Sequence, residues 1–223
     1  MSIVEDISFD ITLNASSASM EYLDTYKTIG SPTEGLYKEK GSKFIAFAFP
    51  VSNELQIKEI IARLKKEHHS ARHHCFAWRL GSDLKLFRVN DDGEPSGTAG
   101  RPIFGQIKQH ELTDILVVVV RYFGGILLGT SGLTNAYKQA AADVLTNTII
   151  IEKIVETTIE VNFDYLAMND FMMILKEFQL EMKESQFDLT CKAKILVRKQ
   201  LISIVMEKLG KIDKLNALTI VDN

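Results

Sequence analysis

The sequence predicts an α+β protein of two domains, and three observations carry that prediction. Along residues 21–146, strand pairs, helical stripes and an all-apolar strand succeed one another. The pattern restarts near residue 147 and then runs strand, helix, strand, strand, helix, strand to the end. A length of 223 residues suits two small domains, since domains usually hold about 100 to 150 residues. With 46% hydrophobic and 25% charged residues, the chain is well clear of disorder and can build a real core.

The elements follow in order. Residues 1–20 end in the small polar run "NASSAS" and show no sustained periodicity, so they read as a flexible N-terminal extension, with Met20 an alternative beginning. Residues 21–146 form the expected first domain. "EYLDTYKTI" and "GLYKEKGSKFIAFAFPV" read as strands around the turn "GSPTEG". Asn53 and Gln56 fit a capping box, and Ile57, Ile60, Ile61 and Leu64 then fall on one helical face. "RHHCFAWRL" and "KLFRVN" make a hairpin across "GSD", and the loop "DDGEPSGTAGRP" leads to a short helix over Ile103–His110. Ile115 to Val120 are apolar at every position, which a strand tolerates when both faces are covered. Leu133, Tyr137, Ala140, Ala141, Val144 and Leu145 give the next helical stripe, with Thr130 or Ser131 able to cap it.

Residues 147–223 form the expected second domain. Val155, Thr157, Ile159, Val161 and Phe163 alternate as a strand, and Phe171, Ile174, Leu175 and Phe178 make a helical face. Leu180 and Met182 begin a second strand. After the polar break "ESQ", Phe187, Leu189, Cys191, Ala193, Ile195 and Val197 alternate again. A helix with Leu201, Ile204, Val205 and Leu209 and a strand over Leu215–Val221 complete βαββαβ, the ferredoxin-like split βαβ order.

Composition narrows the function classes. No apolar run approaches the roughly 20 residues of a membrane helix, and Glu5, Asp6 and Asp10 stand where an export signal carries cations. A cytoplasmic protein without membrane contact is expected. Cys75 and Cys191 are far apart and give neither a disulfide framework nor a metal knuckle. The net charge of −3 argues against a strongly basic nucleic-acid binder, but its distribution is uneven. Residues 35–150 carry 15 Lys+Arg against 11 Asp+Glu, so one region can face an anion, or the charges are simply solvated.

Three stretches can carry chemistry. In "RYFGGILLGTSG", Gly124 and Gly129 precede Thr130–Ser131 with nearly phosphate-loop spacing, but Thr130 stands where the lysine belongs. A glycine-rich bend entering a helix still presents backbone N–H groups to an anion, with Arg121 a planar donor beside Gly125 and either Tyr122 or Phe123 a stacking face. The alternative is a tight turn at Gly124–Gly125 with Arg121 paired to the acidic loop. In "DDGEPSGTAGRP", Asp91, Asp92 and Glu94 lack the spread of a calcium loop, whereas Ser96, Gly97 and Thr98 suit a turn that presents N–H groups, and Arg101 adds a cation. Lys43 is a solvated strand edge or part of the same basic face. In "HHSARHHC", strand geometry puts His73 and Cys75 on one face and His74 on the other, so neither a metal nor another cofactor is expected.

Together "SKFIAF", "HHCFAWRL", "DDGEPSGTAGRPI" and "VVVVRYFGGILLGTSGLTNAYKQAA" resemble the IMPACT/YigZ family, most strongly over Tyr22–Leu145. The resemblance implies an N-terminal domain of the left-handed βαβ type seen in the second domain of small-subunit ribosomal protein five. It also implies a ferredoxin-like C-terminal domain similar to elongation factor G domain V, as in bacterial members. Eukaryotic relatives regulate translation by competing for the activator of an initiation-factor kinase. The implied function is therefore non-enzymatic binding to RNA, the ribosome or another part of the translation machinery, a protein partner included. The sequence supplies no nucleophile–base–acid set, and the alternative is an enzyme using a nucleotide or other phosphate-bearing substrate at the glycine-rich face.

Overall fold

The computed structural model describes residues 24–188 and 190–221; the expected extension over residues 1–20 lies outside them. The described chain divides into two compact units, Tyr26–Lys153 and a second made of Asp24, Thr25 and the residues from Ile154 on. Asp24 belongs with the second because its carbonyl accepts from Val155 N at 2.6 Å and its Oδ1 from Gln200 N at 3.0 Å.

The first unit runs β1 (Thr25–Ile29), β2 (Thr33–Glu39), β3 (Ser42–Pro50), α1 (Glu54–Glu67), β4 (His73–Leu80), β5 (Leu86–Asn90), α2 (Gly100–Gln109), β6 (Ile115–Tyr122), α3 (Gly129–Thr146) and β7 (Ile150–Ile154). Five strands form an antiparallel sheet in the order β2-β3-β6-β4-β5. Strand β6, apolar at every position from 115 to 120, takes the centre, and its pleat feeds two cores. Ile115, Val117 and Val119 join Phe44, Ala46, Ala48, Cys75 and Ala77 against α2 and α3. Leu116, Val118 and Val120 join Phe76, Trp78 and Leu80 against Ile57 and Leu64 of α1. Residues 115–120 are fully enclosed, each burial stabilising the unit by about 1.5–3 kcal/mol.

Several local readings need correcting. The turn that makes a hairpin is not "GSPTEG" but Lys40–Gly41, both at positive φ (45° and 79°), which joins β2 to β3. Thr33 and Glu34 belong to β2, and β1 pairs with β7. Helix α2 begins at Gly100 rather than Ile103, since Pro102 is compatible with a first turn. Helix α3 begins at Gly129, so Thr130 and Ser131 lie inside its first turn; its N-cap is Leu128, which makes no side-chain cap. At α1 the cap forms as expected, with Asn53 Oδ1 accepting from Gln56 N at 2.9 Å, while the reciprocal bond shifts by one residue: Gln56 Oε1 accepts from Ser52 N at 3.0 Å.

The second unit runs β8 (Glu156–Asp164), α4 (Met168–Glu177), β9 (Glu181–Phe187), β10 (Thr190–Arg198), α5 (Ile202–Leu209) and β11 (Leu215–Val221). The sheet order β11-β8-β10-β9, antiparallel throughout, is that of a split βαβ unit doubled. Ile159, Val161, Phe163, Phe171, Cys191, Ile195 and Val205 are among its buried core. "ESQ" is not a break: Glu184–Gln186 are exposed positions of the edge strand β9, and Phe187 ends that strand. Polarity here reflects an edge rather than a turn. The whole chain is thus α+β, and no helix among the described residues is long and apolar enough to cross a membrane.

Candidate functional site

Arg121 is the penultimate residue of β6, opposite Phe44 on β3 and His73 on β4. Alternation puts it on the α2/α3 face, where its side chain is 7% exposed. Its Nη1 donates to Glu94 Oε1 at 2.6 Å, and that oxygen also accepts from Tyr137 OH at 2.8 Å. Its guanidinium carbon lies 5.5 Å from the Phe44 ring centroid and 5.6 Å from that of Phe123. The Nε is buried without a partner. Arg121 is therefore committed to Glu94 and the rings around it. The alternative in which it pairs with the acidic loop is the one the geometry adopts, and a guanidinium free for an outside anion is not.

The same network absorbs His73 and Cys75. Cys75 Sγ donates to Asp91 O at 3.0 Å and contacts Tyr137 OH at 3.3 Å. Burial pushes both the Cys75 thiol and the Tyr137 hydroxyl far above their ordinary values, so neither ionises near neutral pH. His73 Nδ1 bonds Asp92 O at 2.9 Å, and because a carbonyl only accepts, that nitrogen carries the proton. Its Nε2 points toward Glu94 Oε1 at 4.0 Å. His74 takes the opposite face; burial lowers its pKa despite the nearby Asp92. Among the described residues, no group of three or more His, Cys, Asp or Glu is arranged to hold a metal.

The loop "DDGEPSGTAG" spends its N–H groups internally. Asp91 accepts from Gly97 N at 2.8 Å, Ala99 N at 3.0 Å and Gly100 N at 2.8 Å, and so caps α2 from nine residues upstream. Burial would raise the Asp91 carboxyl, but those three donors and the charge of Arg101 hold it below the usual carboxylate value. Thr98 is buried and donates to Pro95 O at 2.6 Å, while Ser96 and Arg101 are exposed. Gly97 and Thr98 are thus spent on internal bonds, whereas Ser96 and Arg101 stay exposed.

What remains open is the loop after β6. Gly124 is required by close approach: a Cβ there would lie 1.9 Å from Gly41 C. Gly125 and Gly129 have φ of 90° and 71°, and exposed Phe123, Ile126 and Leu127 lie among them. A cleft of ≈ 430 Å³ is lined by Arg72, His73, Glu94, Arg121, Phe123, Gly129 and Thr130 among others. On the other side of Phe123, a depression of ≈ 450 Å³ is lined by Gly41, Lys43, Ile45, His68 and Tyr122. Phe123 is 53% exposed and forms a wall of both. Lys43 and Arg72 are exposed and make no ion pair among the described residues. Tyr122 is held by its hydroxyl to His68 Nδ1 at 2.8 Å, so Phe123 is the freer ring. Ser131, exposed in the first turn of α3, lines neither hollow.

The structure thus brings Arg121, Phe123, Gly129 and Thr130 to one cleft, places Lys43 and Tyr122 in the hollow that shares Phe123, and leaves Ser96, Gly97 and Thr98 on the capping loop and Arg101 in the first turn of α2. Sequence patterns do not mark Tyr137 or Arg72 for this site, and Glu94 enters only as part of the acidic loop. A buried tyrosine on a helical stripe needs a partner, and that was the available signal for Tyr137.

Residues 40–145 match the family model described as the Impact N-terminal domain. The chain is 35% identical over 165 residues to the IMPACT family member YvyE of Bacillus subtilis, covering 74% of this chain and 76% of that one. It is 38% identical over 117 residues to the IMPACT family member YigZ of Escherichia coli, covering 52% and 57%. A crystal structure of a hypothetical protein superposes over 90% of this chain and 98% of its own with a TM-score of 0.66 at 27% identity. A sheet organised around β6, a glycine-rich loop behind it and relatives matched along most of their length agree: this chain belongs to the IMPACT family.

Proposed function

We propose that this chain is a non-enzymatic binding protein of the translation machinery that contacts single-stranded RNA through the face around Phe123. The observation that carries the reading is the half-exposed Phe123 ring that lines two hollows, each with a cation that makes no ion pair among the described residues, Arg72 in one and Lys43 in the other. An aromatic face stacks any base, and flanking cations track the phosphates on either side of it. The first turn of α3 adds backbone donors, since it carries no acidic residue and no side-chain cap. Family membership supports the link to translation, through the regulatory role that the resemblance to eukaryotic members implies.

A specific observation favours a second reading. His73 lines the ≈ 430 Å³ cleft, and with Nδ1 donating to Asp92 O its Nε2 is the nitrogen that could serve as a general base against a phosphate-bearing substrate. Fluorescence anisotropy with a 12-nucleotide single-stranded RNA separates the two. Phe123→Ala is expected to weaken binding by about 1–3 kcal/mol. Lys43→Ala and Arg72→Ala should each flatten the log-affinity against log-salt slope by about 0.7. Turnover of a nucleotide by the parent, abolished in His73→Gln, with no RNA affinity, would replace the first reading by the second.

A further inference from the structure

Strand β5 is an outer strand of the five-stranded sheet and, among the described residues, pairs only with β4, so one row of its backbone N–H and C=O groups is not used by the ladder. Its register sets Phe87 opposite Arg79 and Arg88 opposite Trp78, which sends Phe87 and Val89 toward α2 and Leu86 and Arg88 toward the α1 face. Leu86 and Phe87 are each 51% exposed, so apolar surface flanks the open edge on both faces. Phe87 stacks on Phe104 of α2 with centroids 4.4 Å apart and planes at 12°, and Lys108 Nζ lies 5.5 Å from the Phe104 centroid. Arg88, Arg101 and Lys108 are exposed and make no ion pair among the described residues, and neither β5 nor α2 contains a carboxylate.

We infer that this edge is a docking site for an extended acidic segment of a protein partner, which adds to β5 as a further strand. Backbone pairing supplies the register, apolar side chains on each face of the guest cover Leu86 on one side and the Phe87–Phe104 stack on the other, and carboxylates interspersed on both faces meet Arg88, Arg101 and Lys108. Charge selects this occupant over a second copy of the chain, because an isologous pairing of β5 with itself would bring two such cationic sets together. The open ladder selects it over nucleic acid, which has no backbone to match that row. Guard charges alone would protect an edge from aggregation, but a guarded edge does not keep half-exposed leucine and phenylalanine on its two faces.

The test uses the full chain and two capped nine-residue peptides, one repeating Glu-Glu-Val-Val and the other Lys-Lys-Val-Val, so that each face of an added strand carries both charged and apolar side chains. The Glu/Val peptide is expected to bind, to slow amide hydrogen exchange at Leu86–Asn90, and to bind at least about tenfold more tightly than the Lys/Val peptide at low salt. Arg88→Glu combined with Lys108→Glu, both surface changes, should reverse that order. The inference is overturned if the Glu/Val peptide does not bind or protects amides elsewhere. It is equally overturned if the double variant keeps the parent's preference, if a 12-nucleotide RNA protects this strand in its place, or if the chain alone protects it by concentration-dependent self-association. The RNA reading of the Phe123 face stands or falls separately, since the Phe123→Ala protein should take the peptide as the parent does.

Discussion

Arg121→Ala removes one partner of the pair at the heart of the first unit. Arg121 and Glu94 side chains are 7% and 4% exposed and 2.6 Å apart, so the change leaves a carboxylate enclosed with only Tyr137 donating to it. Breaking a buried pair from one side costs about 3–5 kcal/mol, and loss of the guanidinium from the Phe44 face acts in the same direction. At about 2–4 °C per kcal/mol for a domain of this size, the melting temperature should fall by about 6–20 °C. Trp78 is the one tryptophan of the sequence, lies in β4 and is 4% exposed, so its emission during urea unfolding reports this unit. Arg121→Met with Glu94→Leu removes both charges and should recover much of the loss, because no orphan carboxylate remains. RNA affinity and its salt slope, measured below the transition, should be unchanged in Arg121→Ala. A variant that loses less than about 1 kcal/mol of stability while its salt slope flattens by about 0.7 would refute the reasoning, since the guanidinium would then be serving phosphate rather than Glu94.

Three further outcomes are expected. Gly124→Ala should destabilise the first unit by more than the 1 kcal/mol typical of substitutions, read again by Trp78 emission, because the added Cβ meets Gly41 C at 1.9 Å and Ser42 N at 2.2 Å and backbone must move. Asp91→Asn should cost about 1–3 kcal/mol at pH 7 and flatten the acid limb of a melting-temperature titration. The Asp91 pKa is lowered in the folded state, so its stabilisation is complete above the unfolded value of about 3.9 and is lost as pH falls through the folded value. An unchanged acid limb would count against the cap at α2. Expressed alone, residues 147–223 should unfold cooperatively by circular dichroism, because β8, β10, α4 and α5 close a core of their own; a fragment without a transition would argue that Asp24 and its two bonds are indispensable.

Periodicity by itself determined most of the elements. The six apolar residues 115–120 announced a central strand, the alternation from Thr157 to Phe163 a half-buried one, and Asn53 with Gln56 the start of α1, because each signal is local and depends only on pleat, pitch or cap. The motifs around Arg121 likewise announced the family. What each motif does with its polar groups was decided by tertiary structure. Arg121 and Glu94 are 27 residues apart, and which side chain meets the guanidinium depends on how loop 91–99 folds back over β4 and β6. The N–H groups of Gly97, Ala99 and Gly100 were legible as donors, yet their acceptor, Asp91, was set by the loop's path. The polar triplet 184–186 imitated a turn because an exposed edge strand and a loop are both solvated, and only the ladder to β10 tells them apart. Phe123, finally, became a wall between two hollows because Gly124 packs against the Gly41 turn, a contact across 83 residues that no local pattern encodes.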